Sequence, residues 1–381
     1  MFHTIAQSLK DHVIKDIGEV QAKDYDIFRW CNAAGLEMMG QGGHTFGVLD
    51  GIESEYSRSI KKLFPTIMQF GPLMAIFPLL YRITPTWLSS RMKNYKNIID
   101  IQGEQARIIL AERQAALNDP HNYEESYDLI SVLLKLNQQA TEEDQLPEDQ
   151  ILGQMNTLLF AGHEAACGAM ARPLHVLAEN PLVQDRLRAE LLEASETMTY
   201  DELNSLPYLD AVCREVMRLF PQTTSAQRVA VEDRTIPLRY PIKGKDGKEI
   251  REIQVRKGTN IYLGIRGANR CLETWGEDAH EFRPERWLED LPDSVASART
   301  PGVYSSMMTF GAGPRACIGY KFAILEFKMV LSTLIKSFEF SPGTTQTSWL
   351  NYFTMNPYPA GTKNPSKEGA KPSMVLKVSV L

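Results

Sequence analysis

Ten residues near the C-terminus, Phe310-Gly311-Ala312-Gly313-Pro314-Arg315-Ala316-Cys317-Ile318-Gly319, constrain this chain more than any other stretch. They join a short polar-aromatic segment, Tyr304 to Thr309, to a densely apolar run from about Tyr320 to Ile335 that reads as a helix. The glycines permit positive φ and close backbone approach. Amides at a helix N-terminus are unpaired and point outward, and the macrodipole there favours negative charge. A thiol just before the helix is therefore readily held as a thiolate, the form that binds metal. Arg315 adds a fixed cation that can pair with a carboxylate on whatever the thiolate holds. Two plainer readings compete. Gly311-x-Gly313-x-x-Ala316 meets the loose dinucleotide fingerprint, but that motif needs a βαβ unit and an acid about twenty residues on. Pro314 and Arg315 suit such a loop poorly, position 331 is Leu, and too little chain follows. The other is a buried structural cysteine, the commoner fate of a lone Cys.

The chain has 381 residues, 43% hydrophobic and 23% charged, an ordinary globular composition that can bury one large core or two smaller ones. A net charge of −6 leaves no basic footprint for nucleic acid. The five cysteines (31, 167, 213, 271, 317) are widely spaced, with no Cys-x-x-Cys, which argues for a reducing compartment and against structural zinc. No stretch approaches the eighteen or so continuous apolar residues of a membrane span. The reading expects no signal peptide, since Met1 leads directly into the repeat of Phe2, Ile5, Leu9, Val13 and Ile14.

Apolar residues recur at helical spacing from Met1 to about Leu117, around the apolar, proline-broken run from Phe70 to Tyr81. Glu124 to Asn137 reads as a helix. So does Gln150 to about Ala178, which carries Phe160-Ala161-Gly162-His163-Glu164-Ala165-Ala166. A glycine and an acid in the middle of a buried helix break the usual rules and mark a candidate site. A solvated polar face is the plainer reading of His163 and Glu164. Pro181 to Glu196 is amphipathic. Glu215 and Arg218 in the next helix are neighbours on one face, and Phe282-Arg283-Pro284-Glu285-Arg286-Trp287 follows. Thr235 to Leu263 reads as a small sheet with turns at Asp246-Gly247 and Lys257-Gly258. Phe338-Glu339-Phe340 and Met374 to Val380 read as terminal strands joined by a polar loop.

Taken together, these motifs resemble the cytochrome P-450 superfamily, whose proximal ligand loop has the Phe-x-x-Gly-x-Arg-x-Cys-x-Gly pattern residue for residue. The resemblance implies a mainly α fold with a small β subdomain, as one domain over 1–381: helix-rich 1–220, β region 228–265, and ligand loop with its helix 310–335. It implies haem b (iron protoporphyrin IX) with Cys317 as axial ligand and Phe310, Gly313 and Gly319 around it. Arg315 and Arg228 would pair with propionates. Ala161, Gly162 and Glu164 match the family's Ala-Gly-x-acid-Thr distal motif, but Ala165 stands at the threonine position. Glu215, Arg218 and Arg286 match its buried Glu-Arg-Arg network. Phe70 to Tyr81 corresponds to a flexible roof that touches the membrane, whereas Trp87-x-x-x-Arg91 falls in the wrong place for the family's propionate pair.

The function so implied is insertion of one oxygen atom from O2 into a small apolar substrate, in secondary or xenobiotic metabolism. NADPH electrons would arrive through a separate flavoprotein reductase. A eukaryotic, fungal microsomal type on the cytosolic face of the endoplasmic reticulum membrane, with peripheral membrane contact, is implied too. The resemblance starts part-way into the family's fold, so the chain is expected to be N-terminally truncated. Ala165 keeps open a haem-thiolate isomerase, dehydratase or peroxygenase, and the expected truncation keeps open an inactive product.

Overall fold

The computed structural model describes residues 2–18, 22–40, 44–52, 55–68, 83, 85, 89–118, 129–352 and 354–381. The chain divides into two compact units, Met1–Val216 with Gly319–Leu381, and Met217–Ile318.

The first unit is helical around the long helix Glu148–Glu179. Helix Ile27–Gly40 packs closely along it, with Gly35 at the contact. A Cβ on Gly35 would lie 3.1 Å from Met170 Cε and 3.2 Å from Cys167 Sγ. Leu36, Ile109, Leu110, Ile151, Met155 and Leu159 form the apolar core beside this contact, tying in helix Ser90–Asn118. Helix Tyr320–Ser337 is buried over its C-terminal half. It leads into a three-stranded antiparallel sheet in the order β1 (Ala22–Asp26), β9 (Val375–Val380), β6 (Phe338–Pro342). Gln184 works as one more strand residue for β6, accepting from Phe340 N and donating to Phe340 O, both at 2.8 Å. A hairpin, β7 (Thr347–Tyr352) and β8 (Thr354–Pro359), completes the unit.

The second unit holds two antiparallel ribbons. β2 (Ala226–Val229) pairs β5 (Asn260–Leu263), and β3 (Arg234–Lys243) pairs β4 (Glu249–Val255) with a register shift between Pro237 and Ile242. Gly247 and Gly258 take positive φ at the two expected turns. Short helical turns then lead to the cysteine loop.

The mainly helical expectation with a small β region holds, with two corrections. The first hundred or so residues are not all helical, because Ala22–Asp26 is a strand fixed by its partner β9 rather than by any alternation of its own. The polar loop expected after Phe340 contains the β7–β8 hairpin. The helix expected from Glu124 is described from Leu129, as Leu129–Gln139, and residues 119–128 lie outside the described residues. Phe70 to Tyr81 and Trp87 also lie outside them. Among the described residues, no helix is long and apolar enough to cross a membrane.

Candidate functional site: the cysteine loop and the long helix

The loop that ends at Cys317 is closed by its own backbone. Cys317 N–H donates to Phe310 O at 2.8 Å, Gly311 N–H to Met308 O at 2.9 Å, and Ala316 N–H to Gly313 O at 3.0 Å. Gly311 and Gly313 sit at φ 71° and 62°, the left-handed region that glycine enters without strain. Helix Tyr320–Ser337 begins three residues after the cysteine, with Gly319 at its N-cap. Upstream, Tyr304-Ser305-Ser306-Met307 makes a two-residue turn, with Ser305 and Ser306 both at positive φ. Such turns favour Asn-Gly. Ser305→Asn with Ser306→Gly is therefore expected to raise stability by about 0.5–1 kcal/mol, read as a higher unfolding midpoint. Gly302 is fixed by space, since a Cβ there would overlap the Met307 carbonyl. The Tyr304 and Phe310 rings meet edge to face at 5.7 Å.

Beneath the loop lies a buried polar frame that the sequence reading did not find. Asn269, fully buried, donates from Nδ2 to Thr309 Oγ1 at 2.8 Å and accepts from Met308 N–H at 2.7 Å. Thr309 Oγ1 in turn donates to Met217 O at 2.8 Å. The amide and hydroxyl each serve as donor and acceptor, so the two residues before Phe310 are pinned. Asn269→Leu leaves Thr309 and the Met308 amide short of a partner and is expected to cost about 1–3 kcal/mol. Thermal unfolding checks this.

Arg218 and Arg286 converge on segment 275–281. Arg218, fully buried, donates to the carbonyls of Asn269 (3.0 Å), Ala279 (2.6 Å) and Glu281 (3.3 Å) and lies over the Trp275 ring at 5.0 Å. Arg286 donates to Asp278 Oδ1 at 2.9 Å, Asp278 O at 3.0 Å and Trp275 O at 3.4 Å. The Arg286 hydrogen bond, with the nearby charges of Arg283 and Arg218, holds the Asp278 carboxyl below its ordinary range. Asp278 is a further member of this network that sequence reasoning missed. Glu215 is fully buried, one turn before Arg218 on helix Pro207–Leu219.

Cys317 is the exposed member of five free cysteines. Burial pushes the Cys31 and Cys213 thiols well up, Cys167 donates to His163 O at 2.9 Å, and half-buried Cys271 faces the Glu273 carboxylate at 3.1 Å. Beside Cys317, Ile318 is 90% exposed and Arg315 is exposed. Arg228 on β2 is exposed, its guanidinium donating to Gln227 O at 2.8 Å. An accessible thiol, an outward apolar side chain and exposed arginines fit a flat, apolar, carboxylate-bearing ligand of a thiolate.

On the long helix, Glu164 and Ala165 are half-buried. The notch left by Gly162 is filled by the Met39 side chain, which a Cβ at 162 would overlap. His163 is fully buried, its Nε2 3.2 Å from Asn32 O, so it does not belong to a solvated face.

The sequence profile described as Cytochrome P450 matches residues 1–364. Cytochrome P450 monooxygenase 91 of Postia placenta is 39% identical over 399 residues, covering 99% of this chain and 72% of that protein. Ganoderic acid synthetase CYP5150L8 of Ganoderma lucidum is 35% identical over 411 residues, covering 100% and 73%. A crystal structure of a cytochrome P450 (CYP102L1) superposes with a TM-score of 0.70 at 21% identity, covering 100% of this chain and 73% of that one, which shows the fold. With a family profile matching residues 1–364 and relatives of this similarity along its whole length, the chain belongs to the cytochrome P450 family.

Proposed function

We propose that this chain is a haem-dependent monooxygenase that inserts one oxygen atom into an apolar organic substrate. The observation that carries the reading is the exposed Cys317 in a loop closed by its own amide on Phe310. Cys317 would hold haem iron as its thiolate, with Phe310 packed beside the sulfur and Gly313 and Gly319 leaving room for close approach. Arg315 and Arg228 would pair with the propionates. Haem held by a thiolate supplies dioxygen activation, because the ligand donates electron density that favours O–O cleavage. Glu164 would hold and pass protons on the long helix, next to Gly162 and to Ala165, which has no hydroxyl to help. Glu215, Arg218 and Arg286 would be structural.

Electrons would come from NADPH through a separate flavoprotein reductase. We further propose a place on the cytosolic face of the endoplasmic reticulum membrane with peripheral contact. The relative named ganoderic acid synthetase supports use in secondary metabolism. The test supplies the haem-loaded chain with reductase, NADPH, labelled dioxygen and a panel of apolar probes (a fatty acid, a sesquiterpene and a triterpene). Label in a product, dependent on reductase, is expected. Ala165 favours one second reading, a peroxide user. Product formed with hydrogen peroxide, and none through the reductase, would replace the first reading with the second.

A further inference from the structure

Strand β7 is tied to the long helix Glu148–Glu179 through Trp349. The Trp349 indole N–H donates to His175 Nδ1 at 2.9 Å, and the Arg172 guanidinium lies 4.6 Å from the Trp349 ring centroid. Arg172, His175 and Glu179 are spaced three and four apart, so they share one face of the helix. An indole N–H can only donate. Nδ1 is therefore the unprotonated nitrogen, and His175 is neutral with its proton on Nε2, which lies 3.7 Å from Glu179 Oε1. The contact matters because the two strands of the hairpin bury unequally. On β8, Thr354, Asn356, Pro357 and Tyr358 are buried, whereas no residue of β7 is. A two-stranded ribbon is marginal by itself, so β7 depends on contacts of this kind for its place.

We propose that the Trp349–His175 pair is a pH-sensitive latch on β7, closed while the imidazole is neutral and released when it takes its second proton. That proton belongs on Nδ1, where it would face the indole N–H donor against donor. It would also add a cation beside the one that Arg172 holds over Trp349. Burial keeps the His175 pKa below its ordinary 6.5, against the pull of the Glu179 carboxylate and with the help of the Arg172 charge. These two residues, on its own helix, are the charged groups that act on the ring. β7 and β8 carry no Asp, Glu, Lys or Arg, and Tyr352 and Tyr358 are their titratable residues. Nearby, β6 brings the exposed Glu339, and helix Pro181–Glu193 brings Asp185 and Arg188, which pair with each other at 2.6 Å. With the latch open the ring titrates near its ordinary value, so the open form binds more protons. Falling pH therefore favours opening by up to about tenfold per pH unit, from about 6.5 down to the pKa of the closed form. The latch rests neither on haem nor on the proposed activity.

The test follows the Trp349 indole N–H by magnetic resonance in the full chain, isotope-labelled at tryptophan, with Trp349→Phe identifying its signal. Its protection from hydrogen exchange, corrected for the pH dependence of free indole, is expected to fall about threefold or more between about pH 7 and pH 5. His175→Asn offers a carbonyl oxygen near the Nδ1 position and has no proton to gain, so its protection should stay level over that range. Protection that stays level in the parent, or that falls as much in His175→Asn, overturns the proposal. Titration of the imidazole gives a second decision, should His175→Asn fold poorly. The His175 signal, identified with His175→Gln, should titrate below about 6.5 in the parent and move up towards that value in Trp349→Phe, which has no indole donor. The same midpoint in both proteins overturns the latch.

Discussion

Arg218→Ala is expected to lower the stability of the chain by about 3–5 kcal/mol, the cost of emptying a buried charged position that its surroundings were built to satisfy. Three backbone carbonyls, those of Asn269, Ala279 and Glu281, take hydrogen bonds from this one guanidinium. Without it they are buried acceptors short of donors, and the Trp275 ring loses the cation above it. Arg218→Lys should recover less than half of the loss, because an ammonium cannot reproduce the planar fork. Chemical unfolding monitored at tryptophan reads both variants. A loss under about 1 kcal/mol for Arg218→Ala would mean that segment 269–281 is held by something else.

The second large effect concerns Glu326, a residue sequence reasoning passed over. It is 1% exposed on helix Tyr320–Ser337, and neither carboxyl oxygen has a hydrogen-bond partner among the described residues. Burial pushes its pKa well above the ordinary carboxylate range. The folded chain therefore holds a proton that the unfolded chain releases near pH 4.3. The folded state binds more protons in that window, so stability falls as pH rises, by up to about 1.4 kcal/mol per pH unit, until the folded pKa is passed. Glu326→Gln keeps the shape and removes the ionisation. The variant and the parent should differ little at pH 4, and the variant should gain about 2 kcal/mol or more by pH 7. Unfolding midpoints across pH 4–8 give the result, and a gap that does not change with pH would sink this account.

How far the sequence could be read depended on how local each signal is. The Cys317 loop and the Gly162–Ala165 stretch are contiguous, so spacing alone exposes them. Helix Tyr320–Ser337 and the long helix announce themselves by apolar density. Asn269, Thr309 and Asp278 are single polar residues of ordinary types, and only the fold puts Asn269 beneath a loop forty residues later. β1, Ala-Lys-Asp-Tyr-Asp, has no strand pattern and owes its conformation to pairing with β9. The β7–β8 hairpin was hidden by Pro357, Pro359 and a polar start. Gly162 was read for its rule-breaking place in a helix, and the structure adds that Met39 occupies its notch. Glu326 could have been found by the reasoning that flagged Glu164, since it too is an acid inside an apolar helical run.

The most direct measurement is the absorption spectrum of the reduced, carbon-monoxide-bound chain after loading with haem, taken beside Cys317→Ala. The account predicts a red-shifted Soret band in the parent, the mark of a thiolate ligand, and its loss in the variant. No haem uptake, or the same unshifted band in both proteins, would contradict Cys317 as the ligand on which the proposed chemistry depends.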